Sequence, residues 1–241
     1  MMDIYKELKD RVSDLWKAEG FLTEEIEIRA KALSTKEAIG TPEQQDFPIQ
    51  KGKEKLMQAT FRGALGQAFT DMYGNYNGTL EEVLNLPMEN NRQRAVFVAS
   101  LNAVQRYLRR IEGSVHCRDE APVQCGKALV PYLAEKHEGA RIAQFGFQPR
   151  MVENLAKRGN LRVLDMDPDN VGQDKFGVII ESAENTEDAV EWADLLLVTG
   201  TTLANDTITP LLGKKNIVFY GTTIAGAAHL MGWERFCPCS L

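Results

Sequence analysis

The sequence predicts a protein of mixed class, an α+β half followed by an α/β half built on a parallel sheet. Two observations predict it. Ahead of residue 113, strand-like runs precede helix-like runs, the order of an α+β unit. After it, three segments repeat a short apolar run, a burst of Gly and Thr, and a helix-compatible stretch. They are ARIAQFGFQPR at 140–150, DLLLVTGTTL at 194–203 and NIVFYGTTI at 216–224. Apolar runs of this length alternating with helices imply parallel strands covered on both faces. In such sheets ligands bind beyond the carboxyl ends of the strands, where these small polar residues fall.

Each element has its own signal. Residues 3–19 form an amphipathic helix, with Ile4, Leu8, Val12, Leu15 and Trp16 at helical spacing and Gly20 as the stop. The period then changes to two at Ile26, Ile28 and Ala30, which predicts a half-buried strand. Leu56–Phe61 and Gln67–Tyr73 read as a hairpin around RGALG. Thr79 with Glu82 fits a capping box, and Pro87 bounds that helix on its far side. A longer helix spans Asn91–Ile111, with Val98, Leu101, Gln105 and Leu108 on one face and Gly113 at its end. The polar stretch GSVHCRDEAP carries no periodicity, so a domain boundary is expected in 113–124. Pro122 opens the next helix, and Pro131 is expected to kink or restart it.

Totals limit the function. The chain has 241 residues, 44% hydrophobic and 26% charged, ordinary values for a soluble globular protein. A net charge of −6 argues against a general nucleic-acid binder, which needs clustered Lys and Arg. No apolar run approaches the ~20 residues that span a bilayer. The charged start MMDIYKELKDR predicts no signal peptide. Four cysteines, at 117, 125, 237 and 239, are too few for a disulfide scaffold and fit reduced thiols in a cytoplasm.

The richest candidate site is Thr199-Gly200-Thr201-Thr202, repeated as Gly221-Thr222-Thr223. Small residues and hydroxyls at helix starts can hold a carboxylate, phosphate or oxyanion; they can equally be plain helix caps. Asn205 lines the same rim or is an ordinary first-turn residue. A dinucleotide reading of the first strand–helix unit is poor, because Gly146 stands alone and Phe147, Gln148 and Pro149 obstruct a phosphate. Asp71, after Thr70, could be a general base, a metal ligand or a turn residue. Asn102 falls near an apolar helix face and needs partners across a domain interface or on a ligand. Lys51-Gly52-Lys53 reads as an anion clamp or a solvated edge. Cys237-Pro238-Cys239 offers soft ligands to a metal but lacks the second pair of a closed zinc site.

Three of these stretches carry a family resemblance: residues 46–71 (DFPIQKGKEKLMQATFRGALGQAFTD), Arg94 through SLNAV to Val104, and 198–208 (VTGTTLANDTI). In this order they resemble the putative heavy-metal chelation family, a domain of unknown function. The resemblance implies an enolase N-terminal-like α+β domain over residues 1–118 and a Rossmann-like domain over 119–241, with a site in the cleft between them. No enolase barrel fits in the remaining length, so enolase's metal carboxylates do not transfer. The leading expectation is a cytoplasmic protein that binds or processes a small anionic metabolite or metal chelate. Gly146, Gly200, Thr201, Thr202 and Asn205 would lie on one side and Thr70, Asp71 and Asn102 on the other. The cofactor is open, with a heavy or transition metal on Cys237 and Cys239 in view. The alternatives are a nucleotide- or S-adenosylmethionine-dependent transferase using Asp165 or Asp167 on a ribose, and a non-catalytic sensor or carrier. Neither nucleic acid nor membrane is an expected partner, and catalysis and a homodimer are left open.

Overall fold

A computed structural model describes residues 3–29, 40, 41, 43 and 54–241. The Lys51-Gly52-Lys53 clamp lies outside the described residues. The first half comprises α1 (Ile4–Ala18), β1 (Glu25–Arg29), β2 (Lys55–Phe61), β3 (Ala64–Thr70), β4 (Tyr76–Thr79), α2 (Leu80–Leu84) and α3 (Asn91–Tyr107). Its four strands form an antiparallel sheet in the order β3-β2-β1-β4. The Thr79 capping box on α2 is present, with Glu82 returning the bond.

The second half comprises α4 (Ala121–Lys136), β5 (Ile142–Phe145), α5 (Pro149–Leu155), β6 (Leu161–Asp165), β7 (Asp174–Lys175), β8 (Val178–Ser182), α6 (Thr186–Trp192), β9 (Leu195–Thr199), α7 (Thr201–Ala204), β10 (Asn216–Tyr220), α8 (Ala225–Met231) and β11 (Arg235–Phe236). The seven strands run in the order β11-β10-β9-β5-β6-β8-β7, all pairs parallel except β7 with β8. Among the described residues no helix is long and apolar enough to cross a membrane.

Three details differ from the sequence reading. The hairpin turn is Arg62-Gly63 alone, so β3 begins at Ala64 and not at Gln67. Both turn residues have positive φ, 47° and 83°, which suits a two-residue connection between twisted strands. Arg62 is held there by Glu24 at 2.9 Å and Tyr107 at 3.0 Å, over the rings of Phe21 and Phe61. Next, α4 runs through Pro131 without interruption, because that residue faces solvent, where water can take the carbonyl its ring leaves unpaired.

Finally, α3 is not amphipathic. Every residue from Arg94 to Gln105 is buried. Such a helix must be covered on all sides, and α3 packs on β2 and β3 on one side and on α7 and α8 on the other. Gly66 of β3 makes the close approach possible, since a Cβ there would lie 2.1 Å from the Ala103 nitrogen. The main core therefore runs from one half to the other, joining Leu8, Trp16, Phe61, Phe97 and Leu101 with Phe145, Val198 and Phe219. Alternation along β9 completes the layering: Leu196 and Val198 enter this core, while Leu195 and Leu197 join a second cluster with Leu129 and Leu133 of α4.

One polar side chain sits in the middle of this contact. Asn102 is 0% exposed. Its amide donates to Gln67 O of β3 at 2.9 Å, and to Thr222 O and Thr223 O after β10 at 3.2 and 3.1 Å. Its oxygen accepts from Gly226 N of α8 at 2.7 Å. Thr223 adds a bond of 3.1 Å from Phe69 N. Of the two destinations the sequence left open for Asn102, these contacts supply the one across the interface. Replacing Asn102 with Ala strands several buried groups, each worth about 1–3 kcal/mol. We expect urea unfolding to show a loss on the order of 3 kcal/mol with an unchanged slope. A loss under about 1 kcal/mol would mean that the node is not critical.

Candidate functional site

The carboxyl ends of β5, β6, β9 and β10 meet the open end of the β2–β3 hairpin, and ionisable groups collect there. Gly146 follows β5 with φ +92°, and a Cβ on it would lie 2.7 Å from Thr199 Cγ2 and 3.0 Å from the Tyr220 hydroxyl. That hydroxyl donates to Gly146 O at 2.7 Å. Burial, and then Asp165 nearby, push the Tyr220 phenol far above its ordinary pKa, so it remains a neutral donor. Gln144, wholly buried, donates to the same carbonyl at 3.0 Å, and its side-chain oxygen has no hydrogen-bond partner among the described residues.

Asp165 ends β6 and accepts two short bonds of 2.6 Å, from Phe147 N and Asp167 N. It thereby fixes the loop after β5, a use of both oxygens that competes with holding a ribose. From the other half come Asp71, which accepts from Asn91 Nδ2 at 2.7 Å, and Glu54. Sequence reasoning missed Glu54. Its carboxyl is pushed up to about 7 by burial first, and then by the charges of Asp165, Asp71 and Asp167. Glu54 is thus the point at which acids of the two halves meet. A signal did exist: Lys55 pairs with Thr70, so the next position out across the hairpin sets Glu54 against Asp71.

The threonine candidates divide. Thr199 and Thr201 keep partly exposed hydroxyls 3.3 Å apart at the rim. Thr202 is buried and donates to Thr199 O at 2.7 Å, a local cap. The Gly200 N–H is taken by Tyr220 O at 2.8 Å and the Thr201 N–H by Thr199 Oγ1 at 3.4 Å. Gly200 itself is helical, φ −61°, and serves packing: a Cβ would lie 2.6 Å from Ile224 N. Thr70 is buried and both donates to and accepts from the Met72 backbone at 3.1 Å. Asn205 accepts from Thr207 Oγ1 at 2.7 Å in the following turn. Two surface depressions lie elsewhere, one of about 610 Å³ beside Tyr5, Lys9 and Asp206, the other of about 380 Å³ beside Arg106 and Ile111.

Among the described residues no group of three or more His, Cys, Asp or Glu side chains is arranged to hold a metal ion. Cys237 and Cys239 lie away from the acids, beside Cys125. All four cysteines are free thiols. A hydrogen bond to Cys117, followed by burial, raises the Cys125 thiol far above its ordinary value. Burial, with Cys125 as hydrogen-bond neighbour, brings Cys239 to about 11.

With this geometry in place, residues 130–227 match the family DUF364, described as putative heavy-metal chelation. Two solved structures share the fold. A DUF364 protein of unknown function from Pyrococcus horikoshii is 19% identical with a TM-score of 0.57, over 92% of this chain and 80% of that one. A second, from Desulfitobacterium hafniense DCB-2, is 12% identical with a TM-score of 0.52, over 73% and 72%. Both structures show a likeness of fold, and the family match itself covers residues 130–227. None of the curated proteins matches the chain. The DUF364 match spans β5, β9, β10 and their loops, and so includes Gly146, Asp165 and both Gly-Thr-Thr segments.

Two predictions follow from the geometry. Glu54 binds its proton more tightly in the folded state than in the unfolded one, whose carboxyl titrates near 4.5. Stability should therefore fall as pH rises from about 4.5 to 7 and level off above. Glu54→Gln should remove that slope and raise stability at pH 8 by on the order of 2 kcal/mol, a value discounted because the carboxyl is partly accessible. Parallel pH–melting curves for the two proteins would contradict the clustering. The second prediction concerns packing. Gly200→Ala should cost about 1–3 kcal/mol, read by calorimetry, because its methyl meets backbone; an unchanged melting temperature would show that the loop after β10 yields freely.

Proposed function

We propose that the protein binds a small metal chelate, or another small ligand bearing positive charge, in the crevice between its two sheets. The observation that carries this reading is the convergence of Glu54, Asp71, Asp165 and Asp167 from both halves. Like charges brought together out of bulk water cost stability. A ligand that brings a cation offsets that cost, whereas a bare anion adds to it. Between the two ligand classes that the sequence left open, the charge pattern therefore favours the chelate. The four-stranded half acts as an enolase N-terminal-like cap over a Rossmann-like half, with the division near residues 118–119, and the description of DUF364 as heavy-metal chelation agrees with a cation-bearing ligand.

Each residue has a part in this reading. Glu54 holds a proton when no cation is bound and gives it up when one arrives. Asp165 positions the loop that carries Phe147, while Tyr220 and Gln144 fix the Gly146 carbonyl. Thr199 and Thr201 offer hydroxyls to the polar groups of the chelator. The ribose role of Asp165 is disfavoured by its two backbone bonds.

The test is calorimetric titration with Ni(II), Co(II) and Zn(II), each alone and as its citrate complex, on wild type and Glu54→Gln. The substitution is expected to weaken binding at least tenfold, about 1.4 kcal/mol, while leaving the ligand-free protein more stable at pH 8. A residue with a merely structural role would lose both. Equal affinity in the two proteins would remove the crevice from consideration.

A further inference from the structure

The smaller of the two surface depressions, about 380 Å³, lies where the end of α3 meets the segment after β11. Arg106, Arg109, Ile111, Glu112, Ser240 and Leu241 line it. The end of α3 closes with two backbone bonds, Arg110 N to Gln105 O and Arg109 N to Arg106 O, both at 3.0 Å. Such a closure puts the residue after the cap in the left-handed region, a place that glycine usually takes. Here it is Arg109, at φ +56°. Arg235 holds the opposite wall, donating to Gly221 O at 2.9 Å, Gly113 O at 2.7 Å and Ser240 Oγ at 3.3 Å. Gly113 lets that wall come close, since a Cβ on it would lie 2.1 Å from Ser240 Oγ. Val115 fastens Leu241, its N–H donating to Leu241 O at 2.8 Å.

Two guanidinium groups on this depression lack partners. Neighbouring arginines have them: Arg110 meets Glu19 at 3.1 Å and Arg62 meets Glu24 at 2.9 Å. Arg106 and Arg109 make no side-chain hydrogen bond or ion pair among the described residues. Neither is needed as a helix cap, because Val104 O, Gln105 O and Arg106 O already accept from the N–H groups of Leu108, Arg110 and Arg109. Glu112 is the one acidic side chain lining the depression, and the guanidinium of Arg235 behind the wall offsets it. The local charge is thus positive in a chain whose net charge is −6. We propose that this depression binds the phosphoryl group of a small organic phosphate. Guanidinium forks match phosphate oxygens, and a phosphate monoester brings about 1.5 to 2 negative charges at neutral pH, which the two free guanidinium groups meet. The volume is more than a phosphoryl group fills, so the rest of the molecule lies against Ile111 and the exposed Leu241 side chain. This site takes an anion, whereas the acidic crevice takes positive charge, and neither depends on the other.

The experiment is a calorimetric titration of the intact protein with phenyl phosphate at low ionic strength, with inorganic phosphate and benzoate as comparison probes. Wild type is expected to bind phenyl phosphate more tightly than inorganic phosphate, which lacks the apolar body, and than benzoate, which carries a single charge. The R106Q/R109Q double variant should weaken that binding by roughly tenfold or more. Arg110→Gln, which removes a paired arginine from the same helix end, and Glu54→Gln should each leave it within about twofold. Ligand-free melting curves run beside the titrations, and the double variant is expected to melt as wild type does, since neither side chain is tied into the fold. No binding by wild type, or equal binding by the double variant, overturns the site. Benzoate held as tightly as phenyl phosphate overturns the phosphoryl assignment. An equal loss in Arg110→Gln would reduce the effect to general charge, and a loss in Glu54→Gln alone would move the anion to the crevice; both overturn the proposal.

Discussion

A buried amide sits at the centre of the contact between the two halves of this molecule. Asn102 stands in the middle of a helix with no exposed face, and its side chain has four possible polar partners within reach, one on β3 and three around the start of α8. An amide in such a place is strongly unfavourable unless satisfied, so its partners must take up one relative arrangement. Apolar packing alone would allow the two layers to slide; the directional bonds fix the register. The Thr223 hydroxyl adds a bond to β3 from the same loop. The position of the hairpin end over the parallel sheet follows from this node.

That position has an electrostatic consequence. The hairpin delivers Glu54 and Asp71 to the place where β6 ends in Asp165, followed by Asp167. Gathering carboxylates costs folding energy, and the molecule reduces the cost locally by aiming backbone N–H groups at Asp165 and by leaving a proton on Glu54. Acids collected at the carboxyl ends of parallel strands, against the direction of stability, are what a binding site for positive charge requires.

Much of the fold could be read from periodicity. The change of pattern near residue 113 anticipated an α+β half followed by a mainly parallel sheet, and the Thr79 cap was visible from two residues. What escaped were features that depend on tertiary context. The strands β7 and β11 have two residues each, too few for a period to show, and α3 looked one-faced because its small residues Ala95, Ala99 and Ala103 are silent on hydrophobicity yet are buried against a second layer. The site was less legible for a specific reason. Placing the turn at RGALG shifted the hairpin register, and the correct turn at Arg62-Gly63 is what sets Glu54 opposite Asp71. The Gly-Thr-Thr segments were correctly located at strand ends, but sequence cannot reveal that the Gly200 and Thr201 N–H groups and the Thr202 and Thr223 hydroxyls are already engaged within the fold.

The central claim is that a proton on Glu54 stands in for a cation. Proton exchange on binding tests it most directly, measured by titrating Ni(II) or its citrate complex at pH 6 in buffers of different ionisation enthalpy. With a carboxyl pKa of about 7, the account predicts release of close to one proton per cation bound by wild type, beyond any proton lost by the ligand itself, and none from Glu54→Gln. Binding without proton release, or the same release from both proteins, would contradict it.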